Sequence, residues 1–177
     1  LFVFIKFIFF PVLSLATGTS LPLAIVESCS MYHQGNAISN FDSWWTKHED
    51  KYSPYIINNL DFEKFSLKNG FNKGDILFIT GIKAKDVKVG DIIIYSIKEQ
   101  NTPVIHRVVS IKEQNSELVF QTMGDNVGFV QFFEKAISSN QLVGKASFRL
   151  APFLGWVKLI FYERNNSPSE RGFCNEN

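Results

Sequence analysis

The stretch VGDIIIYSIKEQNTPVIHRVVSIKEQNSELVFQTM, residues 89–123, is written in the grammar of β structure. Three short runs rich in Ile, Val and Phe, VGDIIIYSI (89–97), PVIHRVVSI (103–111) and ELVFQTM (117–123), are separated by polar clusters. Branched and aromatic side chains suit a pleated, half-buried surface, and Gly, Asn and Asp between them mark turns. The string SIKEQN occurs twice, at 96–101 and 110–115, each time where a strand gives way to a turn. The residues around the two copies do not recur, so this is shared hairpin chemistry and not a solenoid repeat. KGDILFIT (73–80) before the stretch and LVGKASFRL (142–150) after it read the same way. The body predicted is mainly β, a coiled antiparallel sheet.

Upstream, LFVFIKFIFFPVLSLATGTSLPLAIV (1–26) carries one charge, Lys6, and is long enough to cross a bilayer core of about 30 Å. Pro11 and Pro22 would kink or end a helix locally, which membrane helices tolerate. We expect a retained transmembrane anchor over 1–26 and not a cleaved signal peptide, whose apolar region is shorter. Residues 34–71 read as a small, partly helical insertion. Asp42 or Ser43 would cap a helix through Lys51, and Ser53-Pro54 would start another with Ile56, Ile57 and Leu60 buried. Trp44 and Trp45 are adjacent and cannot share one helix face; they belong to the core or to a membrane interface. APFLGWVKLIFY (151–162) is too short to span a membrane alone and reads as a last strand or a segment resting on lipid, and 163–177 as a disordered polar tail. The main domain is then 27–162.

A net charge of +1 over 177 residues gives no electrostatic case for nucleic acid, which requires a basic face. There is no H-E-x-x-H, no Cys-x-x-Cys and no Gly-rich phosphate loop, so no metal and no cofactor are expected. Cys29 and Cys174 make neither a disulfide framework nor a zinc site; a bridge between them is conceivable, but two free thiols are expected because Cys174 lies in the polar tail. Histidine occurs at 33, 48 and 106. His33 and His48 fall in polar, exposed-looking segments, whereas His106 interrupts the strand pattern VIHRVV. Serine hydrolysis needs a hydroxyl, a base and a group that orients the base. Ser28 or Ser30 would supply the first, His106 the second and Asp91 or Asp125 the third. A scaffold reading competes, a non-catalytic membrane-tethered β domain of a secretion or envelope complex, with His106 a satisfied strand histidine.

Order along the chain adds weight. An apolar anchor, then S-C-S-M (28–31), KVGDIIIY (88–95), VIHRVV (104–109), TMGDN (122–126) and a closing apolar segment together resemble signal peptidase I of the archaeal and endoplasmic-reticulum type. The resemblance implies a membrane-bound serine endopeptidase that removes signal peptides from pre-proteins. It implies Ser30, the serine before methionine, as nucleophile, His106 as general base, Asp125 as the third group and Ser28 as oxyanion helper. It also implies signal peptides, the lipid bilayer and the translocation machinery as partners, in a cell or endoplasmic-reticulum membrane with a single span and the catalytic domain on the extracytoplasmic side. Three positions depart from the pattern. Cys29 stands where the family has glycine, Tyr32-His33 where proline is common, and no second aspartate occurs near Gln131.

Overall fold

The computed structural model describes residues 1–35, 41–98, 102–165, 167 and 171–175. A curled, fully antiparallel sheet forms the body. Its strands are β1 (Leu23–Ile25), β2 (Ile76–Thr80), β3 (Ile92–Tyr95), β4 (Val104–Gln114), β5 (Glu117–Met123), β6 (Ile137–Ser138) and β7 (Leu142–Ala151). Their spatial order is β1-β2-β7-β3-β4-β5-β6.

The unbroken apolar run of β3 reflects a strand covered on both faces. Ile92 and Ile94 enter one core cluster with Val26, Met31, Leu77 and Ile79. Ile93 and Tyr95 point the other way, into a second cluster with Val108, Phe120 and Ile137. The second SIKEQN copy closes the β4–β5 hairpin, whose two turn residues Asn115 and Ser116 have φ of 51° and 63°. Positive φ at both central positions gives the turn whose twist matches the flanking strands. The first copy lies partly outside the described residues.

The insertion is helical, as expected, with α3 (Phe41–His48) and α4 (Asn59–Phe62) joined by 3-10 turns over Glu49–Lys51 and Ser53–Tyr55. Asn58 caps α4. Trp44 and Trp45 are both buried, in an aromatic core with Phe41, Tyr52 and Phe62 that seats against Val109 and Met123 of the sheet. Of the three residues expected inside, only Ile57 is buried. Ile56 is 90% exposed, at the left-handed end of a 3-10 turn, and Leu60 is 67% exposed.

Two expectations about the chain ends are corrected. The apolar N-terminus is not one helix over 1–26. It is helical over residues 2–17, as α1 (Phe2–Phe4), a π-helical stretch (Ile5–Phe9) and α2 (Phe10–Thr17). Gly18 ends it in the left-handed conformation, φ 69°, donating its N–H to Ser14 O. The apolar residues beyond that break then serve β1 instead, a short edge strand with Ala24 turned inward. Among the described residues no helix is long and apolar enough to cross a membrane. The helical run nonetheless exposes Phe2, Phe4, Phe7, Ile8, Val12 and Leu15 on all sides.

At the other end, 151–162 is not a last strand: β7 ends at Ala151, and the segment forms α5 (Trp156–Tyr162), with Leu159 buried and Val157, Ile160 and Phe161 exposed. The described residues of the tail are held and not free. Gly172 N–H donates to Glu163, Phe173 packs on Trp156 at 5.0 Å, and Cys174 is disulfide-bonded to Cys29. The expectation of two free thiols therefore fails, because Cys174 is brought against Cys29 and bonded to it.

Candidate active site

Residues 26–32 leave β1 and are stitched to the body by backbone hydrogen bonds. Val26 exchanges bonds with Gly74 and Asp75, Met31 O accepts from Phe71 N, and Ser30 O accepts from Asn126 N at 2.7 Å. Met31 is buried and its Sδ accepts from Asp125 N. Fixed this way, Ser28 and Ser30 face an open cleft of about 660 Å³. One wall is β1, the other the start of β4 through His106, and Phe133 contributes from the β5–β6 connection. The hydroxyls of Ser28 and Ser30 lie 3.1 Å apart.

His106 comes from β4, opposite Ile93, and is 5% exposed. Its Nδ1 bonds to Glu134 Oε1. Glu134 is fully buried, and its carboxylate also accepts from Thr122 Oγ1 at 3.2 Å and, through Oε2, from Gln131 N at 2.9 Å. With Nδ1–H directed at a carboxylate, the free lone pair belongs to Nε2. That nitrogen lies beside Gly124. A Cβ there would sit 3.1 Å from His106 Nε2 and 2.8 Å from Ser30 O. Glycine at 124 thus lets the imidazole edge and the Ser30 backbone approach one point. Lys158 also lines the cleft, but its Nζ pairs with Glu27 at 3.2 Å.

Asp125, expected to orient His106, has other partners. Adjacent residues of a strand point to opposite faces, and Asp125 serves Arg107 rather than His106. Its carboxylate accepts from Arg107 Nε at 3.0 Å and Nη2 at 2.6 Å, from Tyr52 OH at 2.9 Å and bonds His33 Nε2 at 2.9 Å. Arg107 spends its remaining donors on Ser66 O, Gly90 O and Leu67 O, and its guanidinium lies 4.6 Å over the Phe62 ring. This network ties the insertion to the sheet directly behind Ser30. Burial alone would raise the Asp125 carboxyl, but Arg107 and the His33 bond hold it far below the ordinary carboxylate range. Burial likewise works against the Arg107 charge, yet Asp125 keeps its pKa above the usual value.

His33 is neither exposed nor idle. It is 2% exposed and stacks on Trp44 with ring centroids 3.5 Å apart. Burial pulls its pKa below the ordinary value despite Asp125. Asp91 closes its own turn through Lys88 N and pairs with Lys145 at 2.6 Å. Among the described residues no cluster of His, Cys, Asp and Glu is arranged to hold a metal ion.

Glu134 is the residue that sequence reasoning missed. Its signal was a single acid following two phenylalanines in FVQFFEKA (129–136), with Gln131 three residues before it. That spacing forms a reciprocal cap, which shapes a 3-10 turn over Phe132–Glu134 and turns the carboxylate inward.

No family model matches the chain. Its sequence is similar to "Signal peptidase complex catalytic subunit SEC11C" of Homo sapiens, 29% identical over 101 residues, covering 54% of this chain and 52% of that protein. It is also similar to the SEC11 catalytic subunits of Lodderomyces elongisporus, 35% identical, and Scheffersomyces stipitis, 33% identical, each over 55% of this chain and 61% of the relative. The match thus spans between half and two thirds of the length of the curated relatives.

Proposed function

We propose that this chain, a homologue of the catalytic subunits of endoplasmic-reticulum-type signal peptidase I, is a membrane-bound serine endopeptidase that removes signal peptides from pre-proteins. The observation that carries the reading is that Ser30 and His106 share one open cleft while His106 Nδ1 is anchored on the buried Glu134. The orienting role passes from Asp125 to Glu134.

In this reading Glu134 fixes the imidazole tautomer, leaving the Nε2 lone pair to take the Ser30 proton. Ser30 Oγ attacks the scissile carbonyl carbon, and the carbonyl oxygen becomes an oxyanion. The Ser30 N–H and the Ser28 hydroxyl stabilise it, each such donor contributing about 3–4 kcal/mol in a water-poor site. The imidazolium then protonates the leaving amine, and water, activated by the same nitrogen, releases the acyl group. Lys158 lines the same cleft, but its Nζ is engaged by Glu27.

β1 is an edge strand. Its free edge forms one wall of the cleft, so an extended substrate would add to it by main-chain hydrogen bonds, with shallow contacts selecting small side chains. The helical run of residues 2–17, apolar and exposed on every side, supports contact with lipid immediately before the site, where the cleavage site of a membrane-embedded signal peptide emerges. A disulfide supports an extracytoplasmic setting for the domain. Partner subunits of a signal peptidase complex belong to the same reading.

The test is cleavage of a pre-protein by the protein reconstituted in liposomes. Ser30→Ala and His106→Ala should each abolish cleavage while circular dichroism and membrane flotation remain those of the unaltered protein. Cleavage by Ser30→Ala at the unaltered rate would sink the mechanism and favour the scaffold reading.

A further inference from the structure

The disulfide lies where the site is most sensitive to position. Cys29 is the residue between Ser28 and Ser30, and it is covalently joined to Cys174, 145 residues later. Non-covalent contacts reinforce the join on both sides. Asn126 Nδ2 donates to Cys29 O at 3.1 Å and to Asn175 O at 3.0 Å, while its backbone N–H donates to Ser30 O. Behind them, Phe173 rests on Trp156 and Phe153, and Gly172 N–H is held by Glu163, which pairs with the buried Lys73. The tail thus grips the 28–30 segment from outside. Among the described residues, Ser28 and Ser30 line the cleft, whereas Cys29, Asn126 and those of the tail do not. Such an arrangement positions the site without obstructing it.

We infer that the Cys29–Cys174 disulfide is a redox-sensitive positioning clamp for Ser30, so that the oxidised chain is the competent form and reduction lowers turnover. This deepens the serine-peptidase reading and rests on it. Both sulfurs belong to partly exposed residues, within reach of a dithiol reductant. One thiolate of the dithiol attacks Cys174 Sγ, breaking the Cys29–Cys174 bond, and Cys29 leaves as a thiolate that takes a proton. The second thiol of the reductant then attacks the mixed disulfide, releasing Cys174 as a thiol and closing the reductant's own disulfide. The protein disulfide gains two electrons, and the dithiol loses them. Once released, residues 28–30 keep the Asn126 bonds but lose the covalent hold.

The experiment compares the full-length protein, oxidised and after dithiothreitol, on a peptide spanning a signal-peptide cleavage site, with thiol content read by mass spectrometry. The reduced protein should show kcat about tenfold lower, within the roughly hundredfold that a 1 Å misplacement costs. KM should change less than twofold, because the β1 and β4 walls are untouched. Cys174→Ser should behave like the reduced protein and ignore dithiothreitol. A kcat within twofold of the oxidised value in a fully reduced sample would overturn the inference. Amide exchange separates this inference from the peptidase reading. Faster exchange at 28–32 and 124–127 on reduction is expected even if no turnover is found in either state. Unchanged exchange there overturns the clamp irrespective of activity.

Discussion

Two buried carboxylates lie close to Ser30, and they should fail in different ways when neutralised. Asp125→Asn removes the charge that compensates Arg107, a fully buried guanidinium with bonds to that one carboxylate and to three backbone carbonyls. Breaking a buried pair by neutralising one partner costs about 3–5 kcal/mol, because the other charge stays buried. At 2–4 °C per kcal/mol for a chain of this size, the melting temperature should fall by roughly 6–20 °C. Glu134→Gln keeps the volume and one oxygen acceptor and strands no full charge, so its stability cost is that of altered hydrogen bonds, about 1–3 kcal/mol. Its effect on turnover should be far larger. The amide no longer fixes the His106 tautomer or favours the imidazolium, and the corresponding change in a serine triad lowers kcat about 10⁴-fold. The assay is peptide cleavage at a temperature where both variants are folded, with kcat and KM read separately beside a thermal melt. Asp125→Asn should retain kcat within about tenfold per folded molecule, and Glu134→Gln should lose kcat about 10³–10⁴-fold with KM little changed. If instead Asp125→Asn lost kcat by that factor while Glu134→Gln stayed within tenfold of the parent, the assignment of Glu134 to His106 would be refuted.

Gly124→Ala places a methyl 2.8 Å from Ser30 O and 3.1 Å from His106 Nε2, so the two should be pushed apart. Cleavage should fall at least tenfold with a nearly normal melt, and a fully active variant would show that the approach is not needed. The His33 site predicts a pH dependence of stability. Its folded pKa is lowered by burial, so the unfolded chain takes up the proton first as pH falls below about 6.5. The stability from neutral His33 is therefore complete above that value and is lost progressively as pH drops toward the folded pKa. Urea midpoints should decline between pH 7 and 5 more steeply in the unaltered protein than in His33→Gln, and parallel curves would contradict this. Asp125 acts in a lower window: its pKa is depressed in the fold, so its contribution is lost only as pH falls below about 3.9 toward the folded pKa.

Much of the sheet was legible because strands of this kind are written locally. DIIIY can satisfy a strand buried on both faces with four apolar side chains in a row, and the polar EQNSE stretch makes a turn between two alternating runs. The limit of the N-terminal helix was not legible by apolarity alone, since a lipid-facing helix and a buried edge strand make the same demand. The break lies in Gly18-Thr19-Ser20, where Gly18 leaves the helix and Thr19 bonds Val143 O on β7. In the site, Ser28, Ser30 and His106 could be named because each sits in a recognisable string. Their third partner could not, because a 3-10 turn determined by Gln131 and Glu134 brings in a carboxylate from 28 positions away. Asp125 was drawn toward His106 by its motif, yet strand alternation gave it to Arg107. His33 looked exposed beside Tyr32 and Gln34, and only the packing of the insertion buries it.

The tether between Cys29 and Cys174 also imposes an order on biosynthesis. Its two ends are separated by the whole sheet from β2 to β7. The bond therefore cannot form while any of those strands remains inside the ribosome. During translation Cys29 must wait as a thiol until Cys174, its disulfide partner, has emerged. A chain cut short before Cys174 would still contain every strand of the sheet, yet could never be locked. Synthesis through Cys174 is thus recorded in the covalent structure beside Ser30.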